Sequence, residues 1–191
     1  MIRADDRSTK MASVAIVGDG PGGLSAALFL AKNKQTVTVF GLDKTAMHYA
    51  YLYNYLGLPE IDGSDFQEIA RRQAESFGTV IREEEVTGVS VANRFAISTD
   101  GGSHNSDYLI LSEGKSPELA MSLDLKTNLD GVIEVDRDYR SSMKGVYVIG
   151  RSARPERSQA IISAGAGATA ALDILAIEEG KNVQDWDTPP K

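Results

Sequence analysis

The sequence predicts an α/β fold of three layers, a central parallel sheet into which an antiparallel three-stranded meander is inserted. Three observations predict it. Val14-Ala15-Ile16-Val17 is an apolar run that stops at a glycine; a small-residue helix and a β-branched strand follow at once; and Gly145-Val146-Tyr147-Val148-Ile149-Gly150 repeats the strand-to-glycine theme near the other end of the chain. Continuous apolar runs, as opposed to alternating ones, suit strands buried on both faces of a parallel sheet.

Taken in order, the first strand leads through Gly18-Asp19-Gly20-Pro21-Gly22-Gly23 into Leu24-Ser25-Ala26-Ala27-Leu28-Phe29-Leu30-Ala31, a helix that stops near Asn33. Thr36-Val37-Thr38-Val39-Phe40 is the second strand, so residues 14–40 have the length of one strand-helix-strand crossover. His48 to Pro59 is aromatic and irregular. From Ser64 a helix is predicted, capped by Ser64 or Asp65, with Phe66, Ile69, Ala70, Ala74 and Phe77 at helical spacing and Gly78 as its stop. Val86 to Val91, Phe95 to Thr99 and Tyr108 to Leu111 read as the meander, turning at Ala92-Asn93 and Asp100-Gly101-Gly102. After the strand at Val146 to Ile149, Gln159 to Glu179 reads as a second Ala/Gly-rich helix, and Asn182 to Lys191 as a loosely held tail.

Composition narrows the chemistry. Twenty Lys and Arg against 27 Asp and Glu give a net charge of -7, which argues against a broad electrostatic grip on nucleic acid or anionic lipid. Met1 to Ala12 lacks the apolar stretch of a secretory signal, and no stretch is read as approaching a membrane span, so the expected location is the cytoplasm. The chain has no cysteine, which excludes a disulfide, a thiolate metal site and a dithiol relay within it. His48 and His104 lie far apart in sequence, which argues against a histidine-rich zinc site.

The pattern Gly18-x-Gly20-x-x-Gly23, set between a strand and a helix, is a dinucleotide phosphate loop of Rossmann-like type. Gly18 permits the tight turn, Gly20 lets backbone approach a pyrophosphate, and Gly23 lets the helix pack on the sheet. The helix N-terminus then favours the phosphate charge. A carboxylate about twenty residues further on would take the ribose; Asp43 has that spacing but follows Phe40-Gly41-Leu42, so a solvated loop aspartate is the rival reading.

With these motifs in hand, the chain resembles the FAD-binding domain of the thioredoxin reductase family. The likeness runs from Val14 to Leu24 through Gly41-Leu42-Asp43-Lys44, Asn54-Tyr55-Leu56-Gly57 and Ser112-Glu113-Gly114, then through Gly131 to Asp136, Gly145 to Gly150 and Gln159 to Gly165. The resemblance implies a Rossmann-like three-layer FAD-binding domain over residues 12–180, with half-sites 12–114 and 131–180 joined by a short connector, 115–130, between tails at 1–11 and 181–191. It implies FAD with its pyrophosphate at Gly18, Gly20, Pro21, Gly22 and Gly23, adenine beside Val86, ribityl near Gly150, and flavin near Asn54 and Gln159-Ala160. Gly41, Asp43, Lys44 and Gly114 complete the implied cofactor contacts. It further implies an oxidoreductase or electron carrier, a homodimer, and a partner protein or small molecule as electron donor or acceptor.

Three departures from that family stand out. The connector Lys115 to Asp130 leaves no room for the NAD(P)H domain that the family inserts there, and the family's Cys-x-x-Cys pair is missing. Where the family reads Gly-Asp after the last strand, this chain reads Gly150-Arg151, replacing an acceptor by a cation with donors only. Arg151, with Arg154 or Arg157, either pairs with the pyrophosphate or is a solvated loop charge in a decayed site. A non-catalytic nucleotide-binding or regulatory module is therefore the alternative to a flavin oxidoreductase. Tyr49, Tyr51, Tyr53 and Tyr55 either cover the flavin or pack at a subunit contact, and His48 is read as a hydrogen-bonding loop residue without a partner carboxylate.

Overall fold

The computed structural model describes residues 11–188. Strand β1 (Ser13–Val17), helix α1 (Pro21–Lys32) and strand β2 (Thr36–Phe40) form the expected crossover. A 3₁₀ turn at Ala46–Tyr49 and a two-residue ladder of β3 (Tyr51–Leu52) with β4 (Ile61–Asp62) order the aromatic segment. Helix α2 (Gly63–Ser76) leads to β5 (Val80–Arg82), then β6 (Val86–Val91), β7 (Phe95–Thr99), β8 (Gly102–Ser106) and β9 (Tyr108–Leu111). A short helix α3 (Glu118–Ser122), strand β10 (Val146–Val148) and helix α4 (Ala160–Glu179) complete the order.

The core is a five-stranded parallel sheet in the order β10-β9-β1-β2-β5. β1, β9 and β10 bury alternate residues on opposite faces, whereas no residue of the edge strand β5 is fully buried. Val14, Ile16, Val37, Val39, Ile110 and Tyr147 meet α1 and α4 on one face. Ala15, Val17, Leu109, Leu111, Val146 and Val148 meet Phe95 and Ile97 of the meander, with Ala120, Leu123 and Ile133 of the connector, on the other. The predicted three layers are therefore present, and two-sided burial explains why the strands read as unbroken apolar runs.

The meander itself needs a correction. Its third strand is β8, not Tyr108 to Leu111; β9 is instead an inner strand of the parallel sheet, between β10 and β1. Gly102-Ser103-His104-Asn105-Ser106 carries no apolar signal, since of these only Ser106 is buried, so a pattern reading passes over it. Likewise, α2 starts one residue before Ser64, with Asp62 as the cap whose Oδ1 accepts from the Ser64 N–H at 2.8 Å. Its buried stripe is Gly63, Gln67 and Ala74, while Ile69 and Phe77 are exposed, because a polar Gln67 takes the inner face to reach the phosphate loop.

Helix α4 corrects the expectation that no stretch approaches a membrane span: with 20 residues and mean hydropathy 1.8, it is long and apolar enough by length and composition alone. Its apolarity serves packing against α1. A Cβ on Gly167 would stand 2.0 Å from the Gly22 carbonyl oxygen, so the two helices touch backbone to backbone. Ala166, Ala170, Ala171, Ile174 and Leu175 line the same buried side. Beyond α4 the chain is tied back to the end of α1, where Lys32 Nζ pairs with Asp185 at 3.0 Å and Asp187 at 2.5 Å and Asn33 donates to Asp185 at 3.0 Å. The predicted tail 1–11, apart from Met11, and Pro189 to Lys191 lie outside the described residues.

Candidate functional site

The carboxyl ends of β1, β2, β9 and β10 open onto one cleft of about 710 Å³, within the range of cofactor sites. Sequential connections leave β1 toward β2 on one side and reach β9 and β10 on the other, so the loop after β1 sits where the sheet order switches. That loop is the glycine run. Gly18 has φ +100°, and a Cβ there would lie 2.2 Å from the Ser112 carbonyl oxygen at the end of β9. On Gly23 it would lie 1.9 Å from the Gly18 carbonyl oxygen. Gly20 differs: its nearest protein atom would be Thr45 Oγ1 at 3.6 Å, which leaves its face of the cleft open. The first two glycines are needed for folding of the loop, and the third leaves room for a ligand.

Two helix N-termini converge on the cleft without side-chain caps. Helix α1 begins at Gly20-Pro21-Gly22 and α4 at Gln159-Ala160, and all five residues line the cleft. Uncapped N–H groups with the positive ends of two helix dipoles suit an anionic group. Gln159 is fixed from across the cleft, its Oε1 accepting from Asn54 Nδ2 at 3.1 Å.

Of the residues singled out by sequence, Gly18, Gly20, Pro21, Gly22, Gly41, Lys44, Asn54, Val86, Gly114, Gly150, Arg151, Gln159 and Ala160 all line this cleft. Gly23 and Asp43 do not. Gly23 lies beneath the loop, and Asp43, at φ +56°, turns its carboxylate to within 3.2 Å of His48 Nε2 and 3.9 Å of Arg71. His48 therefore has the partner carboxylate that its sequence neighbourhood does not reveal; its Nδ1 also lies 3.0 Å from Ser64 Oγ, and its exposed, hydrogen-bonded setting is that of a loop clasp. Among the tyrosines, Tyr51 lines the cleft and contacts Tyr53 at 4.8 Å between ring centroids, whereas Tyr55 packs on Phe66 at 5.2 Å and Tyr49 is 95% exposed.

Several lining residues carry no signal in the sequence: Lys115, Ser116, Glu118 and Leu119 bring the connector into the cleft wall beside Ser112 and Glu113. The Glu113 carboxylate accepts from the Leu119 and Ala120 N–H groups at 2.7 and 3.0 Å; burial pushes its pKa up while those two N–H groups oppose the shift. At the Val86 end, Glu84 accepts from Thr99 Oγ1 at 2.7 Å, lies 2.9 Å from His104 Nε2, and pairs with Arg82 at 3.0 Å. These partners, Thr99 first and His104 next, hold its pKa down at about 2. His104 in turn tilts against Phe40 with ring centroids 5.0 Å apart. The cleft is thus edged by cations at Lys44, Lys115 and Arg151 and by carboxylates at Glu84, Glu85, Glu113 and Glu118.

A parallel sheet with its glycine loop at the switch point is shared by many nucleotide-binding proteins, so sequence comparison decides between them. Residues 58–167, more than half of the chain, match the pyridine nucleotide-disulphide oxidoreductase family. The chain belongs to that family. Its members bind FAD. The chain is 29% identical over 118 residues to the ferredoxin–NADP reductase of Halalkalibacterium halodurans, covering 56% of this chain and 36% of that protein. It is 29% identical over 165 residues to one of the alkyl hydroperoxide reductase proteins of Staphylococcus aureus, covering 85% of this chain and 30% of that protein. The chain therefore spans about a third of the length of these curated relatives. In fold it is similar to a thioredoxin reductase from Gloeobacter violaceus, with a TM-score of 0.80 at 17% identity over 94% of this chain and 99% of the other. The resemblance to a thioredoxin reductase-like flavoprotein is borne out.

Proposed function

We propose that this member of the pyridine nucleotide-disulphide oxidoreductase family is a single FAD-binding domain over residues 12–180, acting as an oxidoreductase or electron carrier that exchanges electrons with a partner protein or a small molecule. The observation that carries this reading is the convergence of the Gly18 to Gly23 loop and two uncapped helix N-termini on one cleft at the sheet's switch point. The residues present fit the cofactor: a Cβ-free opening at Gly20 suits a pyrophosphate, and Lys44, Lys115 and Arg151 supply countercharge. When bound, FAD supplies the electron transfer itself. The chain's own residues do the rest: Gly20 and Gly22 present backbone N–H groups, Asn54 and Gln159 brace each other where the resemblance places the flavin, and the Ala160 end of α4 favours negative charge.

The chain holds no cysteine, so electrons do not leave by a dithiol within it. Arg151 in the cleft supports a second reading, a nucleotide-binding or regulatory module without catalysis. Flavin absorbance after reconstitution and desalting separates these. Bound FAD that is bleached by an electron donor and reoxidised by an acceptor supports the first; bound FAD that no donor reduces supports the second; colourless protein that takes up no flavin overturns the first. Arg151→Asp is informative in the same assay. If Arg151 pairs with the pyrophosphate, FAD dissociates at least about tenfold more readily, as expected for loss of a charge-assisted contact.

A further inference from the structure

The second residue of the phosphate loop, Asp19, is an ionisable group that the cofactor reading leaves without a role. It lines the cleft yet is 4% exposed. Its carboxylate lies over Gly41 at the end of β2, where a Cβ would stand 2.4 Å from Asp19 Cγ. Residue 41 therefore has to be glycine for the carboxylate to fit there. Arg71, on α2 and outside the cleft lining, makes a direct ion pair with Asp19 Oδ2 and also lies 3.5 Å from Glu83 Oε1 and 3.9 Å from Asp43 Oδ1. One turn earlier on α2, Gln67 Nε2 donates to the Asp19 carbonyl oxygen at 2.7 Å. Gln67 is 1% exposed, and its Oε1 has no partner among the described residues.

Gln67 fixes the plane of the Asp19-Gly20 peptide, and Arg71 anchors the side chain of the same residue. A trans peptide directs its C=O and the following N–H to opposite sides. With the Asp19 carbonyl held toward α2, the Gly20 N–H is turned away from α2, and Gly20 is the loop residue left open to the cleft. We infer that Arg71 is a positioning residue for the phosphate loop: acting through Asp19, and together with Gln67, it holds the loop in the conformation that receives the cofactor's pyrophosphate. The inference rests on the reading of the cleft as an FAD site. Burial raises the Asp19 carboxyl, Arg71 opposes this and Asp43 adds to it, so the charged form of Asp19 depends on Arg71.

The test is FAD titration of the whole chain, followed by flavin fluorescence at about pH 8 and about pH 5, alongside thermal unfolding of the flavin-free protein. The variants are Arg71→Met, Arg71→Lys and the double variant Asp19→Asn/Arg71→Met. Loss of the guanidinium strands a buried carboxylate, so Arg71→Met weakens FAD binding about tenfold at about pH 8. The deficit shrinks at the lower pH, because burial raises the Asp19 carboxyl and, without Arg71 to oppose it, favours proton uptake as pH falls. The double variant, with a neutral amide in place of the carboxylate, recovers most of the binding at both pH values, and Arg71→Lys falls between wild type and Arg71→Met. Wild-type binding by Arg71→Met overturns the inference alone, as does a deficit that is equal at both pH values and untouched by Asp19→Asn. Should Arg71→Met fail to fold, the double variant decides: folded and binding supports the positioning role, and folded without binding overturns it, as does failure to fold. Wild-type protein that takes up no FAD defeats the FAD reading itself, and the inference with it.

Discussion

Glu113 ties the end of β9 to the start of α3, its carboxylate accepting from the Leu119 N–H at 2.7 Å and from the Ala120 N–H at 3.0 Å. The connector 115–130 is thereby made a fixed part of the cleft wall, since Lys115, Ser116, Glu118 and Leu119 all line it. Glu113→Ala removes two charge-assisted hydrogen bonds at once. Its expected cost in urea denaturation is about 2–3 kcal/mol, with Glu113→Gln, which retains one acceptor oxygen, losing less.

Gly18 and Gly20 separate folding from binding. At Gly18 an alanine would need φ +100° and would meet the Ser112 carbonyl oxygen at 2.2 Å, so Gly18→Ala is expected to lose at least about 2 kcal/mol of stability. Gly20 has φ -71° and meets nothing closer than Thr45 Oγ1 at 3.6 Å. Gly20→Ala should unfold within about 0.5 kcal/mol of wild type yet retain little FAD, because its methyl group occupies the open face of the loop. Unfolding curves and flavin retention after desalting check the pair. Equal flavin retention by Gly20→Ala and wild type would place the pyrophosphate elsewhere.

The legible parts of this protein are those in which one stretch of chain suffices to specify the outcome. β1, α1 and β2 are readable because two-sided burial makes apolar runs and because the tight turn between them admits only glycine. β8 is not readable, since Gly102 to Ser106 is polar and pairs with β7 through backbone groups that any sequence carries. β9 reads into the wrong sheet because periodicity identifies a strand without naming its neighbours. In the site, the cleft-facing glycines are legible, whereas Asp19 with Arg71 and Asp43 with His48 depend on how α2 and the 3₁₀ turn at Ala46–Tyr49 fold back over β2. Gln67 is hidden because an inward polar residue on α2 breaks the apolar spacing that a helix reading follows.

Glu84 gives an acid-side prediction. Its folded carboxyl titrates at about 2 against an ordinary 4.5, held down by Thr99, His104 and Arg82. A depressed carboxyl stabilises the fold above its unfolded pKa, and that contribution is lost as pH falls from about 4.5 to about 2. Glu84→Gln should therefore flatten the acid limb of the stability profile in this window, with the largest difference from wild type above it. The check is the pH dependence of the unfolding midpoint. Parallel wild-type and Glu84→Gln curves through the acid limb would show that Glu84 does not carry this linkage.

Tyr147 and Asp173 offer a test of how α4 is held on the sheet. Tyr147, on β10, is 2% exposed and donates its hydroxyl to Asp173 Oδ2 at 2.7 Å; Asp173, on α4, also takes both ends of the Arg140 guanidinium, with Nε at 2.6 Å. The phenol is shifted strongly upward by burial and by that carboxylate, so it remains a donor throughout the working pH range. Tyr147→Phe removes one hydrogen bond while leaving Asp173 paired with Arg140, and its expected cost is about 1 kcal/mol. Asp173→Ala strands a buried hydroxyl as well as Arg140 and should cost about 2–3 kcal/mol. In the double variant the stranded hydroxyl is gone, so the combined loss should fall short of the sum of the single losses by about 1 kcal/mol. Urea denaturation of the four proteins closes the cycle. Strict additivity would mean that the two side chains stabilise α4 independently, despite their contact.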